Sequence, residues 1–230
     1  RIRLDATTAS TNHDPEKSAL ISIGRTKKNL FEAQFKLMMG TLDPLGLPIA
    51  TDLVSGEKAD DPLYVPIYRR IDSILGKKGI LYIGDCKMGA IETRGIIDKD
   101  GNFYLIPLPM TGETPVLLDK VLSELDAGEH ALAHIFLPED EKRFKELKVA
   151  PDPKLAIAKG FEIIVERKTT LDGEEVIWNE RICCVQSFRH AASQSIALDN
   201  RIARAEKALQ NLTPPSGRGK KVYQDETELK

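Results

Sequence analysis

Two aspartates stand where strand-forming sequence does not ordinarily place an acid: Asp5 within "RIRLDATTAS" and Asp85 within "YIGDCKMGAIETRG". Asp is depleted in strands, so an acid between apolar neighbours needs a reason. At a strand end it serves as a turn residue, as a helix cap or as half of a metal site. Two carboxylates converging from adjacent strands can hold Mg²⁺, a hard ion that prefers oxygen ligands. Two such ions can activate a water and stabilise the leaving oxygen in phosphodiester chemistry.

The composition sets the frame for that chemistry. The chain has 230 residues, 41% hydrophobic and 30% charged, as expected of a globular protein with one sizeable core or a core plus a smaller unit. Lys and Arg total 33 against 35 Asp and Glu. A net charge this small neither announces nor excludes a nucleic-acid partner, because a basic face can be balanced by acids elsewhere. Cys86, Cys183 and Cys184 make an odd count with no zinc-type spacing, which predicts a reducing, cytoplasmic setting. No apolar run approaches the ~20 residues needed to span a bilayer, so membrane functions are not expected. The chain opens without Met on a strand pattern and stops on "YQDETELK", a helix-opening pattern, which predicts an internal piece of a longer protein.

The elements that must position the acids follow from periodicity and punctuation. Ile2 to Thr8 reads as a strand, and "TNHDPEKSALISIGRTKKN" as a loop with a basic tip at Arg25, Lys27 and Lys28. "FEAQFKLMMGTLDPLGLPIATDLVSG" reads as two strands around "DPLG", with Gly46 in the left-handed region. "DDPLYVPIYRRIDSILGKKG" reads as a helix with Asp61 as N-cap, Leu63, Ile67, Ile71 and Leu75 at spacings of four, and a stop at Gly76 or Gly79. A short strand "GILYIGD", a helix "AIETRGIID" and a strand "NFYLIPLP" complete a first part, residues 1–110. Beyond it, residues 111–219 are expected to form an inserted α+β subdomain. It holds a helix "TPVLLDKVLSELDAG", a charged connector, a hairpin turning at "DG", and a long helix from Ser187 to Thr213. That helix carries Leu198, Ile202 and Leu209 on a 3-4 seam that predicts an apolar partner. Residues 220–230 would begin a return to the core.

Three antiparallel strands, a helix and then a strand ending on an acid is the order of the ribonuclease H-like fold, a mixed α/β sheet flanked by helices, whose metal carboxylates lie on the first and fourth strands. The stretches "DATTAS", "TLDPLGLPIATDLVSGEKADDPLY", "DCKMGAIETRG" and "YLIPLP" also carry a family resemblance. The chain resembles the catalytic core of the DDE transposases of bacterial insertion sequences, in the branch split by a β-rich insertion. The resemblance covers about Arg1 to Pro109, with weaker similarity from Trp178 to Lys221.

It implies that Asp5 and Asp85 are the first two acids of an Asp-Asp-Glu triad and bind Mg²⁺ or Mn²⁺, with Gly84 keeping the neighbouring backbone uncrowded. It implies metal-dependent cleavage and strand transfer on double-stranded DNA, at transposon ends and target, by a homo-oligomer on DNA in a bacterial, nucleoid-associated location. The family's third acid, a helical Glu, has no counterpart before Lys230 and is expected beyond it, leaving this chain incomplete as a catalyst. The alternative is a catalytically silent DNA-binding or assembly module derived from a truncated transposase.

The remaining signals are weaker. "GRTKKN", holding Arg25, Lys27 and Lys28, suits DNA phosphate contacts, and "GRGKK" suits them less. "GRGKK" lacks the upstream Gly of a nucleotide-binding loop. Glu162, Glu166, Glu180 and Glu206 lie on insertion elements and are expected to be solvated. His13, His130, His134 and His190 form no catalytic constellation, and His130 and His134 lack a third ligand. Trp178 is expected in the hairpin core, and Cys86 as a small packing residue with no base to activate it.

Overall fold

A computed structural model of the protein describes residues 1–25 and 31–212. It is a mixed α/β structure with nine strands and five α-helices among those residues. The described residues divide into two compact units, one from residues 1–126 with 164–180 and one from residues 127–163 with 181–212.

The first unit is built on a mixed sheet. Strands β1 (Ile2–Ser10), β3 (Phe31–Leu42) and β4 (Leu47–Ser55) are antiparallel, with β3 between the other two. The short β2 (Ser22–Arg25) pairs with residues 31–34 of β3, ahead of the β4 register. It lies inside the segment expected to be a loop; four residues containing a Gly are too few to show a period. β5 (Leu81–Ile83) lies parallel to β1, and β6 (Phe103–Leu105) parallel to β5. The resulting order is β4-β3-β1-β5-β6.

Between β4 and β5 runs α1 (Tyr64–Leu75), preceded by a 3-10 turn at Asp61–Leu63 and closed by Gly76 at φ 57°. Pro66 falls in its first turn, where a missing N–H costs no helical bond. The buried face is Tyr64, Ile67, Tyr68 and Ile71, packed with Ile2, Leu4, Met38 and Tyr82 into one core. Helix α2 (Ile91–Lys99) connects β5 to β6, and α3 (Thr114–Asp126) follows.

The hairpin β8 (Ala158–Leu171) and β9 (Glu174–Ser187) turns at Asp172 and Gly173, both at positive φ, as the "DG" signal requires. Its tip, residues 164–180, belongs to the first unit. There Trp178 is 6% exposed, as expected of a core residue. A Cβ added at Gly95 of α2 would lie 2.7 Å from Thr169 Cγ2 and 3.3 Å from the Trp178 ring. Gly→Ala within a helix ordinarily gains about 1 kcal/mol. Here crowding against a stiff β-branched side chain outweighs that gain. We expect Gly95→Ala to lose about 1 kcal/mol in urea unfolding, and Thr169→Ser, which deletes Cγ2, to restore it.

In the second unit β7 (Ala133–Ile135) pairs antiparallel with the base of β8. Helix α4 (Pro138–Leu147) buries Phe144 against the ring of Phe136, 5.4 Å away between centroids. Both elements lie in the expected connector. Helix α5 (Phe188–Leu212) matches its expected span, but the seam is not covered as predicted: Leu198 and Ile202 are 53% and 48% exposed. Among the described residues no helix is long and apolar enough to cross a membrane.

Candidate metal centre

Asp5 is presented by β1 and Asp85 by the chain leaving β5. The two strands pair in parallel, Ile2 opposite Tyr82 and Arg3 opposite Ile83. The pairing ends there, with Asp5 two residues further along β1 and Asp85 two residues past the end of β5. Both aspartates are exposed, while Ile2, Leu4 and Tyr82 beside them are core residues. A Cβ at Gly84 would fall 2.5 Å from the sulfur of buried Met88, so only glycine lets the chain turn tightly into Asp85.

Asp85 caps the 3-10 turn Cys86–Gly89, and its Oδ1 accepts the Lys87 amide at 2.9 Å. The same oxygen accepts the Tyr64 hydroxyl at 2.7 Å. Oδ2 has no hydrogen-bond partner among the described residues, so the capping role uses one oxygen and leaves the other open. Tyr64, at the start of α1, is fully buried. Burial, then the hydrogen bond to Asp85, then the charges of Asp85, Asp5 and Asp60 push its ionisation far above the ordinary tyrosine value. It is therefore a neutral donor, within reach of the charges of both aspartates.

Neighbouring acids are already paired. Lys36 holds Asp60 at 2.6 Å, and Lys87 Nζ lies 3.7 Å from Asp61. The Asp5 carboxylate has no hydrogen bond or ion pair among the described residues. Asp5 and Asp85 are thus exposed carboxylates with open oxygens, the donor type Mg²⁺ prefers, its shell being ordinarily completed by water and phosphate oxygens. No group of three or more His, Cys, Asp or Glu able to hold a metal occurs among the described residues.

Glu180 corrects the expectation of a solvated insertion acid. It is 6% exposed on the inner face of the hairpin tip. Its Oε1 accepts from Arg94 of α2 and from the Tyr104 hydroxyl of β6, and its Oε2 accepts from Arg167 of β8 at 2.8 Å. Trp178 Nε1 donates to the Tyr104 hydroxyl at 2.7 Å. Burial alone would raise the Glu180 carboxyl, but the two arginines outweigh it and hold it below its ordinary range. Both Glu180 oxygens are thus engaged by donors from other elements of the first unit. Glu162, Glu166 and Glu206 are exposed, as expected.

No protein-family model matches the sequence, and no curated protein matches it. Among solved structures the chain is similar to a piggyBac transposase, seen by cryo-EM in a synaptic complex with hairpin DNA, at a TM-score of 0.40 and 8% identity. The similarity covers 77% of this chain and 32% of that one, so the chain spans about a third of the length of the protein it matches.

Of the basic residues, Arg25 is the last residue of β2, and Lys27 and Lys28 lie outside the described residues, as do the "GRGKK" stretch and residues 220–230. His130 stacks on Phe161 at 4.6 Å, and His134 lies by Phe136. Cys86 is exposed rather than packed, because the turn that Asp85 caps points residue 86 outward; all three cysteines are free. Sequence reasoning missed Tyr64, Arg94 and Arg167. For Tyr64 a signal existed: Tyr64, Tyr68 and Ile71 share a helical face, one residue over from the seam drawn through Leu63.

Proposed function

We propose that the chain carries part of the catalytic core of a metal-dependent DNA transposase built on a ribonuclease H-like sheet. The observation that carries this reading is the parallel pairing of β1 and β5, Ile2 opposite Tyr82 and Arg3 opposite Ile83, with Asp5 two residues further along β1 and Asp85 two residues past the end of β5. The strand order β4-β3-β1-β5-β6 supports it, because three antiparallel strands followed by two parallel ones bring the first and fourth strands of that fold side by side.

Asp5 and Asp85 would hold Mg²⁺ or Mn²⁺, with a helical Glu as third acid that the described residues do not supply. When bound, the ion supplies a Lewis acid for the phosphodiester and a more acidic water. The chain's own residues prepare that site. The Lys87 amide and Tyr64 hydroxyl fix one oxygen of Asp85, while Lys36 and Lys87 neutralise Asp60 and Asp61, reducing repulsion of an incoming phosphate. Arg25, Lys27 and Lys28 contact DNA phosphates. The substrate is double-stranded DNA, transposon end and target, handled by a homo-oligomer on the bacterial nucleoid.

The test is Mn²⁺ binding followed by the electron paramagnetic resonance signal of the free ion. One ion per chain is expected, with affinity reduced at least about a hundredfold in Asp5→Asn and in Asp85→Asn, since each removes a full charge at the ion. Undiminished binding in both variants would refute the site.

A further inference from the structure

Asp85 can present a defined oxygen to a cation only if its side chain is prevented from rotating, and the structure contains the means. Its Oδ1 is held from two directions, by the amide of Lys87 in the turn that follows and by the hydroxyl of Tyr64 from the first turn of α1. The amide is local and comes with the turn. The phenol is not: it arrives from 21 residues earlier, on a ring that is 0% exposed and packed in the core with Leu4, Ile67 and Met88. A tyrosine has two side-chain torsions, and burial of the whole ring leaves its hydroxyl no second position. The Asp5 carboxylate, by contrast, has no such holder among the described residues.

We infer that Tyr64 is a positioning residue for the metal centre, anchoring Asp85 Oδ1 so that Oδ2 is the oxygen presented to the divalent ion shared with Asp5. This rests on the reading of Asp5 and Asp85 as metal ligands. It adds a residue that touches neither the ion nor the DNA. Hydrogen-bond partners behind a ligand orient it and tune its affinity, and their loss commonly costs about 10- to 100-fold in metal binding.

The experiment measures Mn²⁺ affinity, again through the free-ion signal, for the wild-type chain, Tyr64→Phe and Asp85→Asn, with thermal midpoints taken without metal. Tyr64→Phe keeps the buried ring and removes only the donor. It should weaken Mn²⁺ binding about tenfold, and para-aminophenylalanine at position 64, which returns a donor, should recover most of that loss. In the Asp85→Asn background the Tyr64→Phe change should have no further effect on Mn²⁺ affinity, because the group it positions is gone. If Asp85→Asn weakens Mn²⁺ binding and Tyr64→Phe leaves it within twofold of wild type, the positioning role is overturned and the metal site stands. The positioning role is overturned equally if Tyr64→Phe weakens binding and the amino analogue, though folded, recovers none of it. If the wild-type chain binds no Mn²⁺, or Asp85→Asn binds it as well as wild type, the metal site itself is overturned and this inference with it.

Discussion

On the proposed reading, a form of the chain that also supplies the helical Glu is expected to nick plasmid DNA in Mg²⁺, and Asp5→Asn or Asp85→Asn should each lower that rate about a thousandfold. The size follows from what a positioned ion contributes: several kcal/mol of transition-state stabilisation, at 1.36 kcal/mol per factor of ten. Residues 1–230 alone should not nick at a measurable rate. Two carboxylates hold a second ion poorly against the repulsion of the first, and no third acid joins them among the described residues. The measurement is conversion of supercoiled to open-circular plasmid, with the thermal midpoint of each variant confirming that the fold survives. Full activity in the short chain would mean that its own residues already complete the site. No activity in an extended chain that does carry a helical Glu would favour a DNA-binding or assembly role for the whole protein.

The second large effect is on stability. Glu180→Ala should cost about 3–5 kcal/mol in urea unfolding, because it removes one side of a buried charge network and leaves the other side in place. The Arg94 and Arg167 side chains are only 9% and 15% exposed. Arg94 Nε already lacks a partner, so the loss of the carboxylate strands that guanidinium almost completely. Replacing Arg94 by Met in the same chain should recover part of the loss, since an apolar pair avoids the stranded charge.

The network also fixes a pH dependence. The Glu180 carboxyl is held below its ordinary value near 4.5, so the folded chain binds fewer protons than the unfolded chain in the acid range. Its stabilisation is therefore complete above that value and is lost as the pH falls through the lowered one. Unfolding free energies of the wild type should drop from about pH 4.5 downward, and Glu180→Gln, which cannot titrate, should flatten that part of the profile. A Glu180→Ala protein as stable as wild type would show that the pair is not holding the hairpin tip to the first unit's core.

Local structure was legible wherever a short-range physical rule governs it. The "DPLG" and "DG" turns announce themselves because positive φ at Gly46 and Gly173 excludes most side chains. Helix α1 announces itself through apolar residues spaced by four and a left-handed Gly76 at its end. Helix α4 was missed because only Phe144 among its residues is buried, which leaves no apolar stripe to detect. Its start was nonetheless signalled by Pro138 with Glu139, Asp140 and Glu141 in the first turn.

What the sequence by itself determined is therefore a set of elements and two conspicuous strand acids, since periodicity, caps and turns are properties of neighbours along the chain. Only the tertiary structure decided the parallel pairing of β1 with β5, the Tyr64 hydroxyl on Asp85, and the burial of Glu180 by arginines, one of them 86 residues away. A carboxylate flanked by apolar residues reads the same whether it faces water, a cation or a guanidinium. Its role depends on which distant groups lose their own solvent against it, and that is settled by packing rather than by spacing.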